Sequence, residues 1–380
     1  MSDLLITGAR DPRDGSSTTL RIRDDRVAGD TGEAAPSRVD ADGLWLAPAF
    51  IELQLNGAFG HDFTSEPAAI WSVGESLAAT GVSAFLPTLI SSPAVAYERA
   101  LASWAEPPPV PRGAQPLGWH FEGPMLSPAR AGAHDPAHLR LPADVDTGSW
   151  RPSGGVRMVT LAPELPGGLE VAAQLLAEGV VVAAGHTDAD AACSAAAVNA
   201  GVRHATHLLN AMRGLEPREP GIATGLLLDE RVTVGLIVDG HHLAQATIAL
   251  LWRAAGSSRV VVTTDGIAAL GIGAGPHRLG DRDLVVSDDG SARLGDGRLA
   301  GAVVTLPQAL RNLHAATDCT LAEALATVTK TPARVLGLQD RGHLRPGARA
   351  DAVLLDDDLH PVATFVGGDP VHGAEALRWG

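Results

Sequence analysis

The sequence predicts an α/β protein built on a (β/α)8 TIM barrel, with a small β-sandwich domain assembled from both chain ends. Eight short apolar runs recur through the middle of the chain, and segments rich in alanine and leucine lie between them. Both ends contain strand-like pieces broken by Gly, Pro and Asp. Continuous apolar strands that alternate with helices are typical of a parallel sheet covered by helices. Eight such units favour closure into a barrel over an open sheet.

The predicted elements follow one another in a regular order. The barrel strands are expected at residues 50–55, 83–89, 116–121, 156–161, 180–184, 203–208, 232–238 and 260–264. Helices are expected at residues 66–80, 166–178, 188–201, 243–256, 303–317 and 320–336. The barrel domain is predicted to span 49–337 and the sandwich domain 1–48 and 338–380. The run Pro-Pro-Pro-Val-Pro at 107–111 is interpreted as a rigid connector.

Composition narrows the possible partners and locations. The chain has 380 residues and a formal net charge of -15, which argues against general binding to nucleic acid or to a membrane surface, because both attract basic proteins. No apolar run approaches the ~20 residues that span a bilayer, and the chain opens without a signal-like segment. Cys193 and Cys319 lack Cys-x-x-Cys spacing. We therefore expect a soluble, cytoplasmic protein whose two cysteines are reduced and inert.

Lys330 is the only lysine in the chain, which restricts the available chemistry. It precedes Pro332 in a late helical stretch, where a solvated cation at a helix end is expected. A Schiff-base lysine, a phosphate-loop lysine and a carbamylated bridging lysine are therefore disfavoured. The sequence also lacks the Gly-x-Ser-x-Gly elbow of many serine hydrolases.

Four polar side chains stand at the ends of predicted barrel strands. Glu122, His186, His207 and Asp265 follow strands three, five, six and eight. Because the carboxyl ends of barrel strands meet at one rim, these residues are expected to be neighbours. Two imidazoles and one carboxylate suit a divalent metal ion with an open position for water. Asp265 could then take a proton from that water and pass it to a leaving group.

Other histidines and one glycine-rich run remain open to two interpretations. A lone histidine at a strand end is more often structural, but two on neighbouring strands favour a shared site. His120 stands two residues before Glu122, so it either supports the metal site or is structural. His61 is undecided. The run 271–277 is either a mobile loop near the site or an inert turn. Only structural roles are expected for His204, His314, His343, His360 and His372.

Several motifs resemble one family in both content and order. They are residues 48–57, 120–128, 132–134, 185–187, 206–212, 239–242, 264–265 and 299–301, together with the terminal stretch 342–351. The chain thereby resembles the N-acetylglucosamine-6-phosphate deacetylases of the amidohydrolase superfamily over nearly its full length.

The resemblance implies a role for individual residues. Glu122, His186 and His207 would hold one divalent metal ion per subunit, and Asp265 would be the general acid and base. His134 would bind the substrate and polarise its acetamide carbonyl. The remaining substrate-binding positions would be Asn210, Ala211, Arg218, His242, Leu299, Ala300 and Gly301.

The resemblance also implies an activity and an assembly. The expected reaction is hydrolysis of N-acetylglucosamine 6-phosphate to glucosamine 6-phosphate and acetate, in amino sugar metabolism. Zinc is the first candidate metal, and iron, manganese and cobalt suit the same ligands. A homodimer is expected, in which Arg218 acts in its own subunit or the partner's, or is only a surface cation. The alternatives are an N-acyl amino acid deacylase, a cyclic amidase and a non-catalytic sugar-phosphate sensor.

Two departures from related patterns affect these expectations. Many amidohydrolases carry His-x-His after strand one for a second metal, whereas this chain has Gln54-Leu55-Asn56. That replacement, together with the absence of any lysine before Lys330, favours one metal over two. Gly266 and Ile267 replace the Ala-Met-like pair often found after the catalytic aspartate, so the shape of that loop is left open.

Overall fold

The computed structural model describes residues 3–29, 35–108 and 113–380, and its centre is a parallel barrel. Within the described residues the eight barrel strands are Phe50–Leu55, Val82–Ile90, Trp119–Glu122, Val156–Leu161, Val181–Ala184, Val202–Ala205, Thr233–Ile237 and Val260–Thr263. Each strand pairs in parallel with the next one along the chain. The predicted fold class is confirmed, and every predicted strand is present within a few residues.

Two barrel strands differ from the prediction in ways that affect the rim. Strand three is interrupted, because Gln115–Pro116 and Trp119–Glu122 pair separately with strand two. Strand six ends at Ala205, so His207 lies in the turn beyond the strand. His186 and Asp265 likewise follow the last residues of strands five and eight. Three of the four predicted site residues are therefore held by turns.

Helices cover the outside of the barrel. Within the described residues they are α1 (Ile70–Leu77), α2 (Ala94–Ala105), α3 (Gly168–Ala177), α4 (Ala191–Ala200), α5 (Ile222–Leu228), α6 (Gln245–Ala255), α7 (Leu306–Ala316), α8 (Leu321–Ala326) and α9 (Lys330–Val335). The prediction of one helix over 320–336 is wrong. Pro332 has no N–H to donate to the carbonyl of Val328, and that carbonyl accepts the N–H of Ile51 from barrel strand one at 2.8 Å.

The crossover from strand three to strand four contains no α-helix, although all its residues, 123–155, are described. It instead contains short 3-10 turns that begin at Pro128, Pro136, Pro142 and Pro152. A proline at the first turn position is favourable because its φ is already fixed near the helical value. This irregular segment lies at the rim and carries His134.

A three-stranded antiparallel sheet follows barrel strand eight and was not predicted. Its strands are Gly275–Leu279, Arg282–Val286 and Ala292–Leu294. The interpretation of 271–277 as a loop or turn is therefore wrong for residues 275–277, which form the first strand. The buried side of this insertion packs against Ile90 and Ile267 at the barrel rim. We call it the rim sheet.

The two chain ends meet in one sheet, where the sequence predicted a β-sandwich. Its described strands are Asp3–Arg10, Ser17–Arg23, Arg26–Ala28, Ser37–Asp40, Trp45–Pro48, Ala352–Leu355, Pro361–Val366, Asp369–His372 and Arg378–Trp379. The sheet branches at its first strand, which pairs with three others. Along Ala352–Leu355 the side chains alternate, so that Leu354 joins the core of this sheet and Val353 joins the barrel core.

Three smaller features complete the fold. In the described part of the chain, no helix is long and apolar enough to cross a membrane. Cys193 and Cys319 are unpaired, and Cys319 is buried. Of the connector predicted at 107–111, residues 109–111 lie outside the described residues.

Candidate active site

Side chains from three barrel units converge on one point at the rim. Glu122 Oε1 lies 2.9 Å from His207 Nε2 and 3.2 Å from His186 Nε2. One ligand atom from each of these residues lies within 4.8 Å of the others. All three side chains are buried, and so is Asp265. The structure therefore brings together four residues that are up to 143 positions apart in the chain.

The turns that carry these side chains have unusual backbone angles. The φ values are 49° at His186, 29° at His207, 51° at Asp265 and 48° at Ala211. Non-glycine residues with positive φ are uncommon, and such conformations cost free energy that the surrounding structure must offset. Strained residues of this kind cluster at functional sites. Here they occur at three of the five predicted metal and catalytic positions.

The ligand set fits a divalent metal ion. His186 Nδ1 lies 2.9 Å from the carbonyl oxygen of Arg130. A carbonyl can only accept a hydrogen bond, so Nδ1 carries the proton and Nε2 has a free lone pair in the neutral ring. Two imidazole nitrogens with a carboxylate oxygen are a common set for zinc and similar ions. Glu122, His186 and His207 could therefore hold one such ion.

Electrostatics keep Glu122 in the form that a metal requires. Burial alone would raise the pKa of this carboxyl, but its contacts with the imidazoles of His134, His186 and His207 outweigh burial. The pKa of Glu122 is consequently held well below its usual range. An ionised carboxylate is the form that coordinates a cation.

Two amides, one on strand one and one directly after it, hold the carboxylates of the site. Gln54 Nε2 lies 3.0 Å from Glu122 Oε1 and 3.0 Å from Asp265 Oδ1. Asn56 Nδ2 lies 2.8 Å from the same Asp265 oxygen. The sequence pattern indicated only that these residues replace a second pair of metal ligands. Their role as donors depends on the closure of the barrel, which brings strand one beside the turn after strand eight.

The carboxyl of Asp265 has a raised pKa. Burial and then the negative charge of Glu122 raise its pKa to about 6, against the opposing effects of His207, His242 and Asn56. A divalent cation bound nearby would lower this pKa again, because an opposite charge favours the ionised form. Asp265 would then be ionised near neutral pH, as a general base must be.

His134 reaches the site from the irregular crossover. Its Nδ1 accepts the backbone N–H of Ser91 at 3.1 Å, so the proton of the neutral ring is on Nε2. That Nε2 lies 3.6 Å from Glu122 Oε2. Burial, followed by the charge of His186, lowers the pKa of His134 to about 4. The ring is therefore a neutral N–H donor, and Ser91 is a supporting residue that the sequence did not reveal.

His120 lies in the barrel interior below the site. Its Nε2 is 2.7 Å from Thr160 Oγ1, and its Nδ1 is 3.1 Å from the carbonyl oxygen of Leu53. Burial lowers its pKa to about 4. These contacts tie barrel strands together and do not reach Glu122, which favours the structural interpretation of His120.

A cavity of about 470 Å³ opens above the ligand cluster. Its lining includes the predicted residues Glu122, His134, His186, His207, Asn210, Ala211, His242, Asp265, Leu299 and Gly301. Ala300 does not line the cavity, because its side chain is fully buried behind the loop. His242 is held in place by Asp239, whose carboxylate Oδ2 lies 2.7 Å from His242 Nδ1.

Arg218 does not reach this cavity in its own chain. It is exposed, and no hydrogen bond or ion pair joins it to any described residue. The arginines that line the cavity are Arg130, Arg293 and Arg298. Arg130 pairs with Asp188 at 2.8 Å. Arg293 and Arg298 belong to the rim sheet and its following turn, so they could not be assigned to the site before that insertion was known.

Comparison with known proteins gives a consistent result. The amidohydrolase family model matches residues 45–372. The human N-acetylglucosamine-6-phosphate deacetylase is 38% identical over 359 residues, which cover 90% of this chain and 87% of the human protein. An N-acetylgalactosamine-6-phosphate deacetylase from a Shewanella species is 32% identical over 345 residues, covering 88% of this chain and 85% of that protein.

A solved structure extends this similarity to three dimensions. It is a mutant N-acetyl-D-glucosamine-6-phosphate deacetylase from Mycobacterium smegmatis in complex with N-acetyl-D-glucosamine-6-phosphate. That protein is 33% identical to this chain, with a TM-score of 0.85, and the match covers 98% of this chain and 100% of the other.

Proposed function

Because this chain belongs to the amidohydrolase family and, within it, to the N-acetylglucosamine-6-phosphate deacetylases, we propose that it hydrolyses N-acetylglucosamine 6-phosphate. The products are glucosamine 6-phosphate and acetate. The observation that carries this proposal is the meeting of Glu122, His186 and His207 beside Asp265 at the floor of one cavity.

We propose that Glu122, His186 and His207 hold one divalent ion, with zinc ahead of iron, manganese and cobalt. When bound, such an ion lowers the pKa of its water toward ~7 and polarises an amide carbonyl. The amides of Gln54 and Asn56 support a single ion, because their N–H groups already face the carboxylates of Glu122 and Asp265.

Asp265 is the proposed general base and acid. Gln54 and Asn56 both donate to its Oδ1, which fixes the carboxylate and leaves Oδ2 for proton transfer. Oδ2 accepts a proton from the attacking water as a bond forms to the acetamide carbon. Asp265 then gives this proton to the sugar nitrogen as the C–N bond breaks, which avoids the release of an amide anion.

His134 is the proposed donor to the carbonyl oxygen. The N–H of Ser91 keeps its proton on Nε2, and its low pKa keeps the ring neutral. Negative charge develops on the carbonyl oxygen as the water attacks, so a fixed donor there stabilises the transition state more than the substrate.

The phosphate is proposed to lie at the opposite end of the cavity, near His242, Asn210 and the backbone of Ala211. An acidic chain needs local cations to attract a dianion, and Arg293 and Arg298 line the same cavity. A further guanidinium is proposed to come from Arg218 of the second subunit in a homodimer. The free cysteines are compatible with the proposed cytoplasmic location.

An acetate-release assay on purified, metal-analysed protein tests the function. The panel contains N-acetylglucosamine 6-phosphate, its galactosamine epimer, unphosphorylated N-acetylglucosamine, an N-acetyl amino acid and dihydroorotate. We expect the glucosamine phosphate to have the highest kcat/KM. The epimer is the second candidate substrate, because a relative 32% identical to this chain is named for it. A higher kcat/KM on the amino acid or the cyclic amide would refute the proposal, and tight binding without turnover would indicate a sensor.

A further inference from the structure

The barrel closes irregularly between strand one and strand eight. Among the described residues, a single parallel bridge joins their ends, between Leu55 and Gly266. At the opposite end of the two strands, the N–H of Ile51 donates to the carbonyl of Val328, and that of Val262 donates to the carbonyl of Thr327. The segment between α8 and α9 therefore occupies part of the seam. Between these two ends, no backbone hydrogen bond of the described residues joins strands one and eight.

The carboxylate of Glu52 occupies that middle position. Its Oε1 accepts the N–H of Gln54 at 2.9 Å, and its Oε2 accepts the N–H of Thr264 at 2.9 Å. The hydroxyl of Thr263 also donates to Oε1. Glu52 is only 1% exposed, and no described salt bridge includes it. A carboxylate without a cation is costly to bury, so its retention here requires a reason.

We propose that Glu52 is a positioning residue that sets the relative placement of Gln54 and Asp265. Through Thr264 it holds the residue directly before Asp265, and through the Gln54 N–H it holds the amide that bridges Glu122 and Asp265. The inference rests on the proposed function, because Asp265 is taken as the proton-transfer group. Glu52 itself does not line the cavity.

The geometry explains why an amide cannot replace this carboxylate. Each oxygen of Glu52 accepts a backbone N–H, one from strand one and one from strand eight. In Glu52→Gln, either orientation of the amide turns an NH2 group toward one of these N–H donors. The buried backbone donor then loses its partner, and one side of the seam must move.

The test compares Glu52→Gln with a matched substitution, Asp351→Asn. Asp351 is also buried and accepts hydrogen bonds from Arg341, Arg349 and the Gly367 N–H, but it directly precedes a strand of the sheet formed by the chain ends. Both variants are purified with metal, and four quantities are measured: metal content, melting temperature, kcat and KM for N-acetylglucosamine 6-phosphate.

We expect Glu52→Gln to bind the parental amount of metal, because Glu122, His186 and His207 belong to barrel units three, five and six rather than to strands one and eight. Its kcat should fall at least about 10-fold, since a shift of ~1 Å in a catalytic group can cost ~100-fold. KM should stay within about threefold of the parental value. Asp351→Asn should lose melting temperature and keep kcat.

Three results would overturn the assignment: a kcat of Glu52→Gln within twofold of the parent, an equal loss of kcat in Asp351→Asn, or a loss that follows loss of metal. If Glu52→Gln does not fold, Glu52→Asp is the second variant: its shorter side chain keeps the charge but cannot reach both N–H donors, and an unchanged kcat in that variant would also refute the proposal. If the parent itself releases no acetate, the proposed function fails instead.

Discussion

At the scale of single residues, the proposed chemistry depends on which groups are donors and which are acceptors. Gln54 and Asn56 offer N–H groups to Asp265, and the Ser91 N–H fixes the proton of His134 on the opposite ring nitrogen. A carboxylate that accepts hydrogen bonds and an imidazole whose Nε2 carries the N–H are thereby placed around the same cavity. These complementary roles match the needs of amide hydrolysis.

Asp265→Asn should nearly abolish turnover while leaving the metal in place. Asparagine preserves the size of the side chain and can still accept from Gln54 and Asn56, but it cannot take a proton from water. Removal of a general acid or base costs about 10²- to 10⁴-fold in rate. The measurement is kcat together with metal content. A variant with parental kcat would exclude Asp265 from proton transfer.

Substitution of His134 should lower kcat more than it raises KM. His134→Phe keeps a ring but removes the Nε2 donor, and loss of one donor to a developing oxyanion costs about 10²- to 10³-fold. Ser91→Ala is the matched control, because it removes the hydroxyl near Nδ1 and keeps the backbone N–H that sets the tautomer. Its kcat should stay within about fivefold of the parent. Equal losses in both variants would argue that His134 only packs.

Some site residues could be predicted from the sequence and others could not. Glu122, His186, His207 and Asp265 were predictable because a barrel rule relates strand ends to one another without any knowledge of loops. Ser91 could not be predicted, because its contribution is a backbone N–H that any residue except proline supplies. The position of Arg218 outside its own site was also inaccessible, since it depends on the path of an exposed loop.

At the scale of elements, regular periodicity was predictable and insertions were not. The eight strands are buried and consist mainly of apolar residues, which marks them in the sequence. The rim sheet has alternating exposed and buried residues in Gly275–Leu279 and Arg282–Val286, and its glycines and charges resemble those of loops. The break between α8 and α9 arises from contacts with strands more than 60 residues earlier, which no local pattern contains.

The seam between strands one and eight should make stability depend on pH. Burial, despite several hydrogen bonds, raises the pKa of Glu52 from 4.5 to about 7. A raised carboxyl pKa means that the folded state favours the protonated form. Its contribution to stability is therefore complete below pH 4.5 and is lost as pH rises through about 7. A shift of this size corresponds to a change on the order of 3 kcal/mol.

Urea unfolding of the parent and Glu52→Gln at pH 5 and pH 7.5 measures this contribution. The glutamine variant lacks the titrating group, so its free energy of unfolding should fall less between the two pH values than that of the parent. The other titrating carboxyls contribute equally in both proteins, so their effects cancel when the two changes in the free energy of unfolding are compared. Parallel changes in both proteins would show that Glu52 does not ionise in this window.

At the scale of the whole molecule, the distribution of charge is the main constraint on how the substrate is bound. The chain has a formal net charge of -15, and a phosphorylated sugar is itself an anion. Cations must therefore be concentrated where the substrate enters. The chain supplies Arg130, Arg293 and Arg298 to the cavity, but Arg130 already pairs with Asp188 and Arg298 with Asp296. A cation from a second subunit would complete the site, as proposed for Arg218.

A mixed dimer tests that arrangement directly. Asp265→Asn subunits have no working proton-transfer group but retain Arg218, whereas Arg218→Ala subunits have the reverse defect. If Arg218 acts across the interface, the Arg218→Ala subunit of a mixed dimer receives the arginine from its Asp265→Asn partner and works normally. In a statistical mixture of equal amounts, half of the dimers are mixed and each has one intact site, so activity should reach about one quarter of the parental value.

The activities are measured at a substrate concentration below KM, because the loss of a phosphate contact lowers the rate most under that condition. Each variant alone should then have low activity. If Arg218 serves its own site, mixing restores nothing, because the subunit with Asp265 still lacks its arginine. The Arg218→Ala variant could also be as active as the parent on both the phosphorylated and the unphosphorylated sugar. That result would show that Arg218 is only a surface cation. Unphosphorylated N-acetylglucosamine is the internal control, because its hydrolysis does not depend on a phosphate ligand. Its rate in each mixture should therefore fall only in proportion to the fraction of Asp265→Asn subunits.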